Sequence, residues 1–425
     1  MKRPICSWTV TALILGVVVL LGTGPAAAQV KIRFQTWHWG ESPWVKALEE
    51  FQRVFNAAHP GIQLSRDDSR YADHVSMFIT QSQGKAAADI AHFSYRSIRH
   101  LADRGYLMDL TPFVEKEGGA TFLAQWDPSA VELCRFKGKL YCLPDQMDPG
   151  ALIYNTAHFK EAGLDPNRPP ATWDEFLEYA RKLTRGDRWG VGILGARQEG
   201  VFMRFNPWLW GAGGDYLTPD EKRSALDTAE ALEGFKFYVE LFTKHKVVPP
   251  GVIEQGAQEN RTQLAHGKVS MIIGFPGNLG TLQAINPSVN MRAVMALAPV
   301  PVGKKAATSS WTSMRVISAY TKHPNEAWQV YKAWHGRDTQ MRNFKIAEVL
   351  STRLDLRNSP ELTGDKFARV FAAQAPNVKF EPLVTDWPKI GDGMLTAIQE
   401  ALTGIKTPEQ ALKDAHNATN RALGL

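Results

Sequence analysis

Cysteine is scarce in this chain: three in 425 residues, one of them, Cys6, inside a basic and apolar N-terminal leader. That excludes a disulfide-stapled scaffold or a cysteine-rich zinc module. Past the leader, no apolar run approaches the roughly 18 residues that a membrane-spanning helix needs, so a soluble mature chain is expected. A dominant charge sign is lacking too. The formal net charge of +6 falls to +4 without the leader cations Lys2 and Arg3, and the basic residues are scattered, so nucleic acid is not expected as a partner. Signatures of catalysis are missing: there is no G-x-S-x-G, no H-E-x-x-H and no P-loop. The 11 histidines never pair at helical ligand spacing, so no metal or other cofactor is expected. "GVGILG" at Gly190–Gly195 matches G-x-G-x-x-G but runs on to "ARQEGVF" and Pro207 rather than into the helix of a βαβ unit, which removes a pyrophosphate site. Carboxylates are plentiful without any two standing out, which leaves a secreted carbohydrate-active enzyme as an alternative.

What is present begins with the leader. Lys2 and Arg3, an apolar run from Val10 to Leu21, and Ala26-Ala27-Ala28 have the form of a secretory signal over residues 1–28, cleaved after Ala28, with no cysteine there to take a lipid. A periplasmic protein is expected. Removing 28 residues from 425 leaves 397, beyond what one hydrophobic core serves, so two domains are expected. Cys134 and Cys142 flank "RFKGKLY"; a hairpin turning at Lys137-Gly138 sets them on facing strands, where either a disulfide or two buried thiols fits.

The first hundred mature residues alternate between strand and helix. "VKIRFQ" reads as a strand; Ser42 and Pro43 open a helix with Val45, Leu48, Phe51 and Phe55 on one face. An extended "IQLSRD", a helix near Ala72 to Gln83, an apolar "ADIAHFS" and a helix near Arg96 to Asp103 follow, a βαβαβ order that predicts a mostly parallel sheet covered by helices. Ligands collect beyond the carboxyl ends of such strands. Farther on, "LPDQMDPGALIYN" reads as a short extended link, Thr172 and Glu175 as a capping box repeated by Thr407 and Gln410, "GKVSMII" and "MRAVMALAPVPV" as buried strands, and "PNEAWQVYKAW" as an amphipathic helix.

The succession "LADRGYLMDLTPF", "FKGKLYCLPDQMDPGALIYNTAHFKEAGLD", "PPATWDEFLEYARKLT", "WLWGAGGDYL", "APVPVG", "KHPNEAWQVYKAW" and "ALTGIKTPEQALKDA" resembles the extracellular solute-binding proteins of ABC importers, the large sugar-binding group that includes maltose-binding protein. The resemblance implies an α/β fold of two lobes, each a mostly parallel sheet flanked by helices, joined by hinge crossings near residues 144–149, 291–299 and 336–342 with a ligand cleft between. The N-lobe would take residues 29–144 and 299–337, and the C-lobe 145–298 and 338–425. The implied function is capture of a mono- or oligosaccharide or polyol as a monomer that delivers its ligand to membrane permease subunits, without chemistry. A binding protein for an anionic solute, using Arg96, Arg315 and Arg353 as a cluster, and a sensory protein docking a chemoreceptor are the alternatives.

A pyranose presents an apolar face that lies on Trp or Tyr and a rim of hydroxyls that suits Asp, Asn, Gln and Arg. The loop "QTWHWGESPW" after the first strand offers Trp37, His38, Trp39 and Glu41, with Trp39 placed ahead of Trp37 because it stands nearer the loop apex and Trp44 assigned to packing. Ser94, Tyr95 and Arg96 end another strand. Asp145 and Gln146, with Asp148 nearby, fall in the first hinge, and Trp208 and Trp210 precede a glycine cluster. The resemblance adds Phe275 or Gly277, with Asn278 beside them, where the family commonly has a stacking tryptophan, Trp311 with Arg315 where it has small residues, and Arg353 in "VLSTRLDL".

Overall fold

Val30 to Thr36 alternate their side chains as the first strand, β1, of a five-stranded sheet. The computed structural model describes Met1 and residues 29–425, so the leader read from the sequence lies outside the described residues apart from Met1. In chain order the strands are β1, β2 (Ile62–Asp68), β3 (Ile90–Ser94), β4 (Arg135–Phe136), β5 (Lys139–Leu140), β6 (Cys142–Pro149), β7 (Ala151–Asn155), β8 (Trp189–Gly192), β9 (Val269–Gly274), β10 (Met295–Ala298) and β11 (Ser310–Ile317). One sheet runs β2-β1-β3-β11-β6 and a second β10-β7-β9-β8.

The parallel pairings are β1 with β2 and β3, and β8 with β9. Those of β11 with β3 and β6, and of β7 with β9 and β10, are antiparallel, so both sheets are mixed. The reason is connectivity: β6 passes into β7 through Gly150 alone, and β10 returns to β11, so the crossing strands enter each sheet without a covering helix to restore direction. The extended link expected around "LPDQMDP" is therefore a full strand, buried at every position. Pro144 is tolerated because β6 lies at the sheet edge. At Gly150 the backbone approaches Thr308 closely: a Cβ would stand 2.8 Å from its Oγ1, which donates to the Gly150 carbonyl at 2.9 Å.

Strand alternation feeds two cores across the second sheet. Leu152, Tyr154, Met271 and Ile273 pack on one face with the helices Trp173–Leu183, Phe202–Gly211, Ala229–Thr243 and Trp387–Thr403. Ala151, Ile153 and Ile272 meet Leu356, Phe367 and Phe371 on the other. The five-stranded sheet has its own core of Ile32, Phe34, Leu64, Phe93 and Val316, covered by helices Trp44–Ala58 and Pro324–Trp334. The segment "MRAVMALA" begins as a single helical turn, Met291–Val294, because Asn290 caps it through Ala293 N–H before β10 starts. Pro207 sits inside a helix: the Met203 carbonyl freed by its missing N–H accepts the Ser309 hydroxyl instead.

Cys134 and Cys142 are joined by a disulfide spanning eight positions. The hairpin β4–β5 between them turns at Lys137 and Gly138, both with positive φ, where glycine carries no Cβ penalty. A loop this short is worth about 2.5 kcal/mol in the chain-entropy account. Cys134→Ser with Cys142→Ser is expected to lower the unfolding free energy by that amount in urea titrations while leaving the interlobe cleft intact.

Candidate functional site

β1 ends in a single 3₁₀ turn, Trp37–Gly40, capped by the Thr36 hydroxyl, which accepts from His38 N–H at 3.2 Å. That turn separates the two tryptophans. Trp39 folds back beneath the sheet, its indole N–H donating to the Phe34 carbonyl at 2.9 Å, and joins the core under the first helix. The expectation that Trp39 leads is corrected: a 3₁₀ turn carries the apex residue inward, and Trp37 takes the cleft wall. Trp37 stacks on His92 with centroids 3.9 Å apart and meets Tyr71 edge-on at 5.2 Å. His38 stacks on Trp44 at 4.2 Å, so Trp44, assigned to packing, also faces the cleft.

A cavity of about 540 Å³ opens between the two sheets, a size ordinary for small-molecule sites. From the first sheet's side it is lined by Trp37, His38, Glu41, Trp44, Tyr71 and Trp311; from the other by Gln198, Met203, Arg204, Gln258, Arg261, Phe275 and Asn278; Gln146 and Asp148 lie at its floor. Tyr71 donates to Glu199 across the gap at 3.2 Å and stands 5.6 Å from Trp311. A groove of similar size between helices Trp387–Thr403 and Pro408–Ala422 is more open and lies away from both sheet ends. Of these two, the interlobe cavity is the one that brings aromatic rings together with planar polar side chains.

Burial sets the electrostatics. It pushes His38 and His92 well below the ordinary imidazole range, with Arg315 adding to the effect, so both are neutral at pH 7. It raises Asp148 well above the usual carboxylate range; Asp148 accepts from Gln146 Nε2 and Leu350 N–H, both at 2.8 Å, while Gln146 Oε1 has no partner. Glu41 is raised by burial, opposed by the positive charge of Arg261.

Several expected site residues serve the frame instead. Between the pairs Pro144↔Met314 and Gln146↔Ser313 the register of β6 on β11 slips, leaving Asp145 as an extra residue. Such a bulge re-aims a side chain: Asp145 pairs with Arg315 on β11 and accepts from Trp334 Nε1 at 2.8 Å and Gln340 Nε2 at 3.0 Å. Arg96 donates to Glu381 at 2.7 Å, and Ser94 accepts from Arg96. Tyr95 accepts from the Glu381 N–H at 3.3 Å. Arg353 is held by Asp355 through Nε and Nη2, both at 3.0 Å. The cluster of Arg96, Arg315 and Arg353 offered for an anion does not form, because each guanidinium is neutralised by its own carboxylate. Trp208 and Trp210 lie in the core beside Trp173, since the helix Phe202–Gly211 presents its first turn, with Met203 and Arg204, to the cavity and buries the next.

Sequence reasoning missed Tyr71, Arg204, Arg261 and Gln258. Tyr71 was within reach: it follows the carboxyl end of β2, the rule that singled out Trp37. The others stand on helices, and no motif marks them. No group of three or more His, Cys, Asp or Glu that could hold a metal occurs among the described residues, and none of their helices is long and apolar enough to cross a membrane.

Two α/β lobes joined by strands that cross between their sheets, with a cavity at the crossing, define a solute-binding protein of the two-lobed, hinged class. Residues 40–341 match the model of the bacterial extracellular solute-binding protein family, and the chain belongs to that family. A binding protein of Brucella abortus (strain 2308) is 26% identical over 416 residues, covering 95% of each chain. The galactooligosaccharide-binding protein of Bacillus subtilis (strain 168) is 25% identical over 285 residues, 65% of this chain and 64% of its own. The crystal structure of an ABC transporter solute-binding protein from Thermotoga lettingae TMO, bound with alpha-D-tagatose, has a TM-score of 0.85 at 26% identity, covering 93% of this chain and 100% of that one.

Because Trp39 is core, Trp39→Ala is expected to cost about 3–5 kcal/mol of stability, read from denaturant titration of the ligand-free protein. His335, buried behind the hinge with Nδ1 on the Tyr331 carbonyl at 2.8 Å, is lowered to about 3 by burial. The unfolded chain therefore binds a proton below about pH 6.5 that the folded protein refuses. This contribution is full above pH 6.5 and is lost on acidification at about 1.4 kcal/mol per pH unit down to about pH 3. His335→Gln should flatten the pH dependence of unfolding free energy by that slope in that window.

Proposed function

We propose that the protein captures a mono- or oligosaccharide, or a polyol, in the interlobe cavity and delivers it to the permease subunits of an ABC importer. The observation that carries this reading is the pairing of surfaces: Trp37, Tyr71 and Trp311 on one wall face Gln198, Gln258 and Asn278 on the other. The ring faces suit the C–H face of a sugar, and the amides suit its hydroxyl rim. The relatives whose ligands are sugars support the class. In this reading residues 29–144 with 299–337 make the N-lobe and residues 145–298 with 338–425 the C-lobe, the leader is removed after Ala28, and the protein works in the periplasm as a monomer.

The ligand acts by bridging. It favours the closed arrangement only through contacts that exist when both walls touch it, so aromatic groups from one lobe and polar groups from the other are both required. No bond is made or broken, and chromogenic glycosides should not turn over.

A thermal-shift screen of the mature protein against sugars, polyols, amino acids and peptides tests the reading. A true ligand at about 100 times its Kd adds roughly 2.7 kcal/mol of stability. Trp37→Ala should weaken binding at least tenfold by calorimetry and lower the ligand-free melting point less than Trp39→Ala does. A response to amino acids or peptides alone would refute the sugar assignment.

A further inference from the structure

Arg204 is an exception among the deeply buried arginines. It is 5% exposed, yet no carboxylate lies within ion-pair distance among the described residues, whereas Arg96, Arg315 and Arg353 each hold one. Its Nη1 donates to the Gly200 carbonyl at 3.1 Å, its Nε has no partner, and its guanidinium lies 5.0 Å from the Phe275 ring centre. It lines the interlobe cavity. A buried charge without a partner is costly, so folded proteins pair such groups with protein or with ligand.

The other charges on the cavity wall leave Arg204 uncompensated. Asp148 is held by Gln146 and the Leu350 N–H, and burial raises it well above the carboxylate range. Glu41 and Arg261 act on one another across the cleft as opposite charges. Glu199 accepts from Tyr71 and does not line the cavity. Burial lowers Arg204 to about 9, which leaves it cationic at neutral pH. Arg204 thus offers the cavity a buried cation without an ion-pair partner, presented by a planar fork that matches a carboxylate.

We propose that the solute is an acidic sugar, a uronate or aldonate, whose carboxylate is seated on Arg204. This rests on the sugar reading above and narrows it. The sugar ring meets Trp37 and Trp311, and its hydroxyls reach Gln258, Asn278 and the unpartnered Gln146 oxygen. The Arg204 guanidinium lies over one face of the Phe275 ring, 5.0 Å from its centre.

Calorimetric titration of the mature protein with galacturonate, glucuronate and gluconate beside galactose, glucose and sorbitol tests the proposal, with glucose 6-phosphate as a further arm. At least one acid should bind tenfold or more tightly than its neutral parent and than the phosphate ester. Arg204→Gln should weaken that acid at least tenfold and bring the acid-to-neutral ratio within threefold of one. The ligand-free melting point of this variant should stay level or rise, since an unpaired buried charge is removed; Arg204→Lys, which keeps the charge without the fork, should retain part of the preference. Neutral sugars that bind as tightly as their acids, a preference that survives Arg204→Gln, or tighter binding of the phosphate ester would each overturn the acidic-sugar assignment while leaving sugar capture standing. Binding of none of these compounds would overturn the acidic-sugar assignment, while sugar capture itself stands or falls by the thermal-shift screen above.

Discussion

Asp145 and Arg315 meet where the two strands that join the lobes lie side by side. β6 runs on through Gly150 into the second sheet, and β11 is the strand to which the chain returns. Burying an ion pair this completely desolvates two charges at a cost of several kcal/mol each, which their mutual attraction and the groups around them must offset. Trp334 and Gln340 supply hydrogen bonds to the carboxylate, and the guanidinium stacks 4.1 Å from the Trp334 ring centre. The bulge that turns Asp145 toward Arg315 also sets the register that carries Gln146 and Asp148 to the cavity floor. The hinge and the binding site are therefore one construction, and a change at the pair would be felt at both.

Around that fixed point the two walls touch through polar contacts that can separate. Tyr71 reaches Glu199 across the cavity, and Glu381 receives both Arg96 and Asn206, with Tyr216 donating to Asn206 in turn. Such contacts hold an orientation without filling a core, which is what a closing motion about a hinge needs. Each sheet has its own main apolar core, with Ala347 and Val349 joining that of the first sheet and Val300 that of the second.

Much of the fold was legible because its signals are local. The βαβαβ opening shows in periodicities of two and of about 3.6 residues, and the hairpin at Lys137-Gly138 in its turn chemistry. The cap at Thr407 shows because hydroxyl and amide reach their partners three residues away. Trp37 was within reach for the same reason: the carboxyl end of a parallel strand is a place the pattern itself defines. The choice between Trp37 and Trp39 was not legible, since one 3₁₀ turn inverts which ring faces out. Nor was the fate of the arginines. Arg96, Arg315 and Arg353 look as available in the sequence as Arg204, and their carboxylates lie 285, 170 and 2 positions away along the chain.

By itself the sequence determined the alternation of strands and helices, the reach of each hydrophobic face and the supply of aromatic and planar polar groups, because these depend on near neighbours and on composition. Only the tertiary structure decided which charged groups were already paired and which was left over. Pairing depends on distances across the fold, and a buried arginine takes its chemical meaning from the carboxylate that does or does not stand beside it. Arg204 was one cation among 49 in the sequence. In the folded protein it is a buried cation at the wall of the cleft with no carboxylate of the described chain to meet it.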